Sequence, residues 1–389
     1  MNTEKLYDQD SLLFSFRARV IACEERKSGF ALARDRTAFF PEGGGQLADT
    51  GRIGEAVVSD VHEREGRIWH YADRPIEPGT EVLCEIDAEK RLRRMQNHSG
   101  EHILSGITHR LTGYDNVGFH MGADCMTIDF SGELSEDQLQ QIETLANEAI
   151  RADLPIRTWY PAAEELAALD YRSKKELTGA VRLVEIKGID LCACCAPHMK
   201  STGAVGTVKI LSAERHRGGM RLTVICGLDA LDDYRRRLDS AGAVSRLLSV
   251  PREKIAAGVE RILGEQAKLK ERAAALENEL ARRMAAELPE TEGNLCVFDS
   301  LLGDVALREL VNALAAKCGG FAAAFSGSDA EGWRYIIGSR HVDLRASSRE
   351  INAAIQGRGG GSPEMIQGSC RATQEEIRNA FSYGRFPTT

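Results

Sequence analysis

The chain has 389 residues, of which 43% are hydrophobic and 28% charged, with a formal net charge of −8. This length suits two to four domains, and the composition predicts a globular protein with enough apolar side chains for several cores. The net charge excludes a uniformly basic nucleic-acid binder, although local basic patches remain compatible with it.

The N-terminal residues, the hydropathy and the cysteines indicate the cellular compartment. The polar start MNTEKLYDQD lacks the pattern of a signal peptide, and no apolar run approaches the roughly 20 residues that cross a bilayer. We therefore expect a cytoplasmic protein that does not enter a membrane. In such a protein the ten cysteines favour metal binding over disulfides.

Residues 1–88 show the alternation of apolar and polar side chains that is typical of β-strands. Apolar residues alternate with polar ones from Phe14 to Val20 and again from Val82 to Ile86. A turn-rich stretch, PEGGGQ at 41–46, lies between these runs. The pattern predicts a small antiparallel β-barrel domain.

Residues 89–228 change to helical spacing and then to mixed structure. Apolar residues recur every three or four positions between Leu92 and Ile107. Ser135 and Gln138 form a capping-box signature ahead of a second helix. Strand-like runs follow at 181–186, 205–211 and 220–226, so this segment is expected to be an α+β domain.

Residues 229–290 are predicted to form a long helical linker. From Pro251 to residue 288 the apolar positions step by four and then three, with charged residues between them. This pattern offers a seam for pairing with another helix, either within the chain or across a homodimer.

Residues 291–389 alternate strand and helix patterns, which predicts a C-terminal α/β domain. The segments are NLCVFD, VALRELVNALAAK, FAAAF and WRYIIGS. A glycine-rich loop, GRGGGSP at 357–363, follows them, and its glycines exclude a regular helix there.

Two histidines lie one helical turn apart in NHSGEHILSGITH, residues 97–109. His98 and His102, at i and i+4, share one helix face, as in many metal sites. With Glu101 they fit the H-x-x-E-H pattern of inverted zinc peptidases, in which the glutamate is the general base. They could equally be half of another zinc site, or two ordinary surface histidines.

A second pair of metal donors lies in LCACCAPH, where three residues separate Cys194 from His198. Thiolate and imidazole are preferred zinc ligands, and one pair from a helix with one from a loop can build a tetrahedron. Cys192, Cys194 and Cys195 are too close together for all three to bind one ion. The alternative is that these cysteines are buried thiols packed as small hydrophobic side chains.

In spacing and order, the two pairs resemble the editing domain of alanyl-tRNA synthetase and the stand-alone alanyl-tRNA editing proteins of the AlaX type, long form. Three further motifs support the resemblance. TAFFPEGGGQLADTG at 37–51 is similar to the family's upstream glycine motif, and VGFHMG at 117–122, which leads into TID at 127–129, to its segment after the first histidine pair. GRGGGSPEMIQGS at 357–369 is similar to the glycine-rich loop of the DHH-associated domain.

The resemblance implies a trans-editing hydrolase. It would remove serine, and also glycine, from mischarged tRNA(Ala) by cleaving the aminoacyl ester. One zinc per chain would be held by His98, His102, Cys194 and His198. The chain is too short to include the aminoacylation domain, so no charging of tRNA is expected. One departure stands out: Cys195-Ala196-Pro197 replaces the Gly-Gly-Thr that the family usually has inside the Cys-x3-His motif.

The resemblance also assigns roles around the metal. Thr37 and Gln46 would act on the substrate, Thr37 by pairing with the serine hydroxyl and Gln46 by orienting water or the ester carbonyl. Gly43, Gly44 and Gly45 would let backbone N–H groups approach the ribose or the ester. The structural alternatives are β packing for Thr37 and a plain tight turn for the glycines.

Basic residues near both halves of the metal site are candidates for tRNA contact. Lys200 and Arg217 are the principal ones. The wider set is Arg91, Arg93, Arg94, Lys187, Lys209, Arg215 and Arg221. For His120 the pattern favours a partly buried structural histidine. For Glu101 it favours a solvated position off the ligand face of the helix, and the alternative is that Glu101 supports one of the ligands.

Other functions fit the sequence less well. An inverted zinc peptidase needs a downstream carboxylate ligand and has no use for the glycine motif. A phosphoesterase is excluded because the chain has no Asp-His-His motif. A non-catalytic tRNA-binding protein with a structural zinc has the same Cys/His set and differs only in needing neither Thr37 nor Gln46.

Overall fold

The computed structural model describes residues 2–122, 124–173 and 180–382. The chain forms two compact units, residues 1–240 and 241–389. The predicted mixture of helices and several sheets is confirmed, while the finer division at residues 88, 228 and 290 stays a prediction. Within the described residues, no helix combines the length and the apolar character that a membrane crossing requires.

The first unit begins with a closed barrel of six antiparallel strands. The strands follow one another around it in the order β2-β3-β7-β6-β5-β8. Its interior is filled by apolar side chains such as Leu32, Phe39 and Ile53. The elements of this part are β1 (Glu4–Lys5), α1 (Leu6–Gln9), β2 (Ser15–Arg26), β3 (Gly29–Arg34), β4 (Arg36–Thr37), β5 (Gly51–Ile53), β6 (Ala56–Arg64), β7 (Arg67–Ala72) and β8 (Glu81–Ile86).

The rest of the first unit packs helices on antiparallel sheets. One sheet has the order β14-β15-β10-β9 and the other β11-β12-β13. The elements are α2 (Ala88–Thr112), β9 (Asn116–Met121), β10 (Met126–Phe130), α3 (Glu136–Arg151), β11 (Ile156–Trp159), α4 (Ala163–Ala168), β12 (Leu183–Ile186), β13 (Asp190–Ala193), a 3-10 turn (Gly203–Val205), β14 (Val208–His216), β15 (Gly219–Cys226) and α5 (Gly227–Leu248).

The long helix α2 has defined ends and a buried middle. The side chain of Asp87 accepts a hydrogen bond from the N–H of Lys90, and Gly113 ends the helix with a φ of 74°. Apolar residues of its middle, among them Ile103 and Leu104, join the core of the α+β part. In α3 the predicted capping box at Ser135 is confirmed.

The second unit contains one five-stranded sheet with helices beside it. The strand order is β16-β17-β18-β20-β19. The elements are a 3-10 turn (Arg252–Lys254), α6 (Ile255–Glu287), β16 (Leu295–Asp299), α7 (Asp304–Leu314), β17 (Ala322–Ser328), β18 (Gly332–Gly338), α8 (Leu344–Ala354), β19 (Gly357–Gly361), β20 (Met365–Cys370) and α9 (Gln374–Ser382).

The sheet of this unit is mixed. Strands β16 and β17 pair in parallel, and the other neighbouring strands pair antiparallel. Short turns join β17 to β18 and β19 to β20, and short turns produce antiparallel pairs. The prediction of a glycine-rich loop needs correction, because residues 357–361 form a strand, β19, at the edge of this sheet.

The predicted long helix is present as α6, which has 33 residues. Several of its large apolar side chains are exposed, including Ile262, Leu263, Leu269 and Leu276. Toward its C-terminal end, Ala281 and Ala285 are buried in a core that α7 shares. The helix is therefore packed near its C-terminal end, while large apolar side chains in its middle are exposed.

Candidate metal centre and adjoining cleft

Four side chains converge within the first unit, as the sequence predicted. The potential ligand atoms of His98, His102, Cys194 and His198 all lie within 4.8 Å of one another. The two histidines of α2 stack with their ring centroids 5.5 Å apart, and the His198 ring meets both at 4.7–4.8 Å. The three histidines are 2% exposed, whereas Cys194 is half-buried.

Each of the three histidines has its Nδ1 atom engaged outside the cluster. The partners of His98, His102 and His198 are, in that order, Gln46 Oε1 at 2.9 Å, Asp190 Oδ2 at 2.8 Å and Ser99 Oγ at 3.3 Å. This arrangement leaves the Nε2 atoms for the centre of the cluster. Fixing one ring nitrogen in this way is how proteins orient histidine ligands toward a metal.

The contacts and distances among the four side chains fit a zinc ion. Nε2 of His102 is buried and has no hydrogen-bond partner among the described residues. Sγ of Cys194 lies 3.5 Å from Nε2 of His98 and 3.4 Å from Nε2 of His198. Tetrahedral zinc with Zn–N of about 2.0 Å and Zn–S of about 2.3 Å would hold its N and S ligands about 3.5 Å apart.

The electrostatics select one of the three clustered cysteines. Burial alone would raise the pKa of Cys194, but His98 and His198 outweigh it and hold that pKa well below its usual value. Burial raises the pKa of both Cys192 and Cys195 to about 11. The surroundings therefore favour the thiolate form of Cys194 over that of Cys192 and Cys195. Burial lowers the pKa of His198 to about 3.

Asp190 is a functional residue that the sequence interpretation missed. It precedes Cys192 by two positions and accepts two hydrogen bonds from Arg172, at 2.8 and 2.9 Å. Helix α2 can approach this strand because Gly106 has no side chain: an added Cβ would overlap with the carbonyl oxygen of Ile189. The available signal was an aspartate two positions before Cys192, but spacing alone does not connect it to His102.

The prediction for Glu101 was wrong. Instead of a solvated position, its side chain is buried, and it accepts hydrogen bonds from Ser105 and Asn116. Its other oxygen lies 3.7 Å from Nε2 of His102. Burial by itself lowers the pKa of His102, but the carboxylates of Glu101 and Asp190 outweigh it and hold that pKa well above its usual value. The site thus favours a positive charge here, whether a proton or a metal cation.

The glycine motif forms a tight turn beside the cluster. Gly43 and Gln46 exchange backbone hydrogen bonds of 3.0 and 3.1 Å, and Gly44 and Gly45 have φ values of 59° and 84°. A Cβ at Gly45 would lie 2.6 Å from the ring of Phe119, which itself sits 4.8 Å from the His98 ring. The glycines therefore allow the close approach that places the Gln46 side chain against His98.

A cleft of about 390 Å³ adjoins this turn; we refer to it as the Gln46 cleft. Its lining residues are Glu42, Gly43, Gly45, Gln46, Leu47, His62 and His120. Gln46 is fully buried, and its Nε2 has no hydrogen-bond partner among the described residues. His120 is exposed and lines the cleft, which corrects the expectation of a partly buried structural histidine.

Thr37 lies inside the barrel and is fully buried. Its hydroxyl accepts hydrogen bonds from the guanidinium of Arg34 at 2.8 Å and the N–H of Phe39 at 3.1 Å, and it lies 3.0 Å from Nε2 of His70. The hydroxyl is already engaged within the barrel. Its predicted role toward the substrate stays a prediction.

The basic residues are mostly held in ion pairs. Lys200 is exposed and lies 2.9 Å from Asp10, while Arg217 occupies the exposed turn between β14 and β15 and lines neither the metal cluster nor the Gln46 cleft. Arg91 is wrong as a tRNA contact, because it is fully buried against Asp49 of the glycine motif. Others of the set pair with carboxylates: Arg93, Lys209, Arg215 and Arg221.

The Cys195-Ala196-Pro197 segment, where the sequence departs from the family motif, contacts the barrel. Ala196 is fully buried among the apolar residues of the barrel core, and Pro197 is buried beside it. Arg182 donates hydrogen bonds to the carbonyls of Cys194 and Ala196, at 3.1 and 2.8 Å. The exposed Cys195 lies near Gly44, where an added Cβ would be 3.6 Å from its sulfur. The Cys-Ala-Pro sequence thus packs the ligand loop against the barrel.

The chain is similar to several known proteins. The model of the Threonyl and Alanyl tRNA synthetase second additional domain matches residues 181–222, which include Cys194 and His198. The chain is 27% identical to alanyl-tRNA editing protein AlaX-L of Pyrococcus horikoshii, over 96% of both chains. It is 32% and 30% identical to the alanine–tRNA ligases of Methanopyrus kandleri and Pyrococcus abyssi, over 95% and 94% of this chain.

These ligases are much longer proteins. The chain spans 43% and 42% of their lengths, less than half. A solved C-Ala domain of the Aquifex aeolicus alanyl-tRNA synthetase matches 22% of this chain and 85% of its own, at 21% identity and a TM-score of 0.19. Homologues of this chain thus include an AlaX-L editing protein and alanine–tRNA ligases, which confirms the resemblance predicted from the motifs.

Proposed function

We propose that this homologue of AlaX-L is a trans-editing hydrolase that cleaves the aminoacyl ester of tRNA(Ala) mischarged with serine or glycine. On this proposal it works in the cytoplasm, where tRNA is charged. The observation that carries the proposal is the cluster of His98, His102, Cys194 and His198 beside Gln46, whose amide nitrogen has no hydrogen-bond partner in the described part of the chain. A likeness to AlaX-L over 96% of the chain supports it.

One zinc ion per chain, held by the four ligands, would supply a Lewis acid able to hold and polarise water or a substrate oxygen. The chain's own residues supply position. Gln46 accepts from His98, and its NH2 group, which has no partner among the described residues, would donate to an acceptor that enters the cleft. An ester carbonyl is such an acceptor, and a fixed donor aimed at it stabilises the charge that develops there during hydrolysis.

The glycine turn and the barrel complete the substrate side of the site. Gly43 and Gly45 line the Gln46 cleft, where backbone without side chains lets a ribose or ester come close. Thr37, whose hydroxyl contacts Arg34 and His70, contributes on this proposal to the packing of the barrel.

The nucleic-acid partner is tRNA(Ala). Lys200 lies two positions after a metal ligand and is exposed, so it is the first candidate for a phosphate contact near the site. Arg217, in its exposed turn, would contact a more distant part of the acceptor stem. Homodimerisation through α6 and the second unit is also proposed, supported by exposed apolar residues such as Leu263 and Leu269; the molar mass in solution tests it.

The direct test is hydrolysis of Ser-tRNA(Ala), Gly-tRNA(Ala) and Ala-tRNA(Ala), each with and without a chelator. We expect seryl and glycyl esters to be cleaved, alanyl esters to be spared and the activity to fall on metal removal. A Cys194→Ala, His198→Ala double variant should lose its zinc. Zinc retention together with absence of any hydrolysis would favour the rival, a tRNA-binding protein with a structural zinc, since four protein ligands can close a site.

A further inference from the structure

A segment near the N-terminus, residues 6–11, lies against the loop that carries Cys194 and His198; we refer to the segment as the N-terminal clasp and to the loop as the ligand loop. Strand β1 fixes the start of the clasp, because it pairs in parallel with β4. Leu6 of the clasp and Ala196 of the ligand loop are both buried in the barrel core. The clasp is therefore packed on the barrel together with the ligand loop.

Ser11, at the end of the clasp, contacts both elements that carry the candidate ligands. Its hydroxyl donates to the carbonyl of His198 at 2.8 Å, and its own carbonyl accepts from Nη1 of Arg91 at 3.1 Å. Arg91 is fully buried and belongs to helix α2, which also carries His98 and His102. Ser11 itself is 7% exposed, so both contacts are largely shielded from water. One serine thus connects the helix to the ligand loop from outside the metal cluster.

Asp8 contacts the other end of the ligand loop through Arg182. Nε of Arg182 lies 3.4 Å from Oδ1 of Asp8, while its Nη1 donates to the carbonyls of Cys194 and Ala196 at 3.1 and 2.8 Å. The hydroxyl of Tyr160 donates to Oδ2 of Asp8 at 2.9 Å. The side chains of the ion pair are 15% and 4% exposed, so solvent screens their attraction only weakly. The clasp therefore also restrains the Cys194 end of the loop.

A third contact of the clasp is too exposed to hold the loop. Asp10 lies 2.9 Å from Lys200, but the two side chains are 51% and 54% exposed. Exposed ion pairs of this kind contribute little, because both partners are well solvated when they separate. The buried contacts of Ser11 and Asp8 are the ones that restrain the ligand loop.

Two serines hold His198, and they act on different parts of it. Ser99 of α2 accepts from the N–H of Met199 at 3.0 Å, and its Oγ lies 3.3 Å from Nδ1 of the His198 ring. Ser11 instead holds the backbone of His198 through its carbonyl. A histidine whose ring and backbone are both held presents its Nε2 in one direction, as a metal ligand requires.

We propose that the N-terminal clasp positions the ligand loop for metal binding, with Ser11 as the positioning residue for His198. Asp8, acting through Arg182, is the positioning residue for Cys194. Donors from a helix and a loop reach a tetrahedral arrangement only when the two elements stay in register. The clasp is bonded to both and supplies that restraint before a metal arrives, so that metal binding has less ordering to do. The inference rests on the proposed function for the identity of the metal.

The test compares zinc affinity in the full-length protein and its variants, by competition with a coloured chelator. Ser11→Ala removes only the hydroxyl, and we expect it to weaken zinc binding by about 2- to 13-fold, the equivalent of one buried hydrogen bond. Ser11→Thr keeps the donor and should restore the affinity. Asp8→Asn keeps the shape and the partner Tyr160 but removes the charge that faces Arg182, so it should weaken zinc binding as well.

A matched control is available in Ser326→Ala. Ser326 is 4% exposed and donates to the carbonyl of Leu302 at 2.7 Å, so this variant loses the same kind of buried hydrogen bond, but in the second unit. In urea unfolding of the metal-free proteins, Ser326→Ala and Ser11→Ala should lose similar stability. Only Ser11→Ala should change the visible absorption of Co2+ bound in place of zinc, which reports the arrangement of the ligands.

Wild-type zinc affinity and an unchanged Co2+ spectrum in Ser11→Ala would overturn the inference, because the hydroxyl would then serve the fold alone. A loss of affinity that Ser11→Thr does not restore would also overturn it. Wild-type values in Asp8→Asn would refute the part that concerns Cys194. If the variants lose zinc affinity as expected but wild type cleaves no ester, the proposed function fails while the clasp stands. If wild type cleaves the ester and every variant binds zinc as wild type does, only the clasp fails.

Discussion

The Asp190→Asn variant should separate the metal site from the general stability of the fold. Asparagine keeps the shape of the side chain but removes the charge that His102 and Arg172 share. Loss of such a partner behind a histidine ligand typically lowers metal affinity by about 10- to 100-fold, which corresponds to about 1.4–2.7 kcal/mol. Breaking a buried ion pair costs about 3–5 kcal/mol, and we expect the lower end because Arg172 retains 17% exposure.

Asp129→Asn is a matched control. Asp129 also accepts two hydrogen bonds from one arginine, Arg221, at 2.6 and 2.8 Å, but it touches none of the predicted metal ligands. Competition for zinc with a coloured chelator gives the affinity, and urea unfolding of the metal-free proteins gives the stability. We expect only Asp190→Asn to weaken zinc binding. Zinc affinities within twofold of each other in wild type and both variants would refute the assignment of Asp190 to the metal centre.

Three further substitutions address the surroundings of the site. Gly45→Ala should abolish most activity, and it should destabilise the protein by more than the roughly 1–2 kcal/mol that a positive φ costs, because its Cβ meets Phe119. The control is Gly79→Ala, at a φ of 93° with no described atom within 4 Å of the added Cβ. In urea unfolding it should show only the destabilisation caused by the positive φ. Asp49→Asn should cost about 3–5 kcal/mol by stranding its buried arginine, measured in the same way. Thr37→Val should cost about 1–3 kcal/mol and leave the ratio of seryl to alanyl hydrolysis unchanged; a fall in that ratio at unchanged stability would instead assign the hydroxyl to the substrate.

The four candidate metal ligands could be predicted from the sequence because both pairs are local patterns. His98 and His102 share a helix face through the i, i+4 spacing, and Cys194 and His198 share one loop. Zinc's preference for sulfur and nitrogen then joins two pairs that are about ninety positions apart. Periodicity likewise located most helices and strands, since burial on one face imposes it directly.

The groups that orient the ligands could not be predicted in this way. Asp190 reaches His102 only because a strand and a helix pack closely at Gly106, and Gln46 reaches His98 only through the fold of the glycine turn. Such contacts depend on tertiary packing, which leaves no spacing in the sequence. The prediction that Glu101 is exposed was wrong for the same reason: the residue is charged, yet it packs against Asn116 and is buried.

Contacts between the barrel and the candidate metal ligands couple metal binding to the packing of the barrel. Gln46 holds His98 from the barrel side, and Ser11 donates to the carbonyl of His198 at 2.8 Å. Cys194 packs against the cores of both the barrel and the α+β part, and Ala196 lies within the barrel core. A cation that binds the assembled ligands therefore also favours the docked barrel, since binding to the folded arrangement alone stabilises it. The Cys-Ala-Pro loop strengthens this coupling with apolar burial, so a motif that departs from its relatives can still keep four ligands in place.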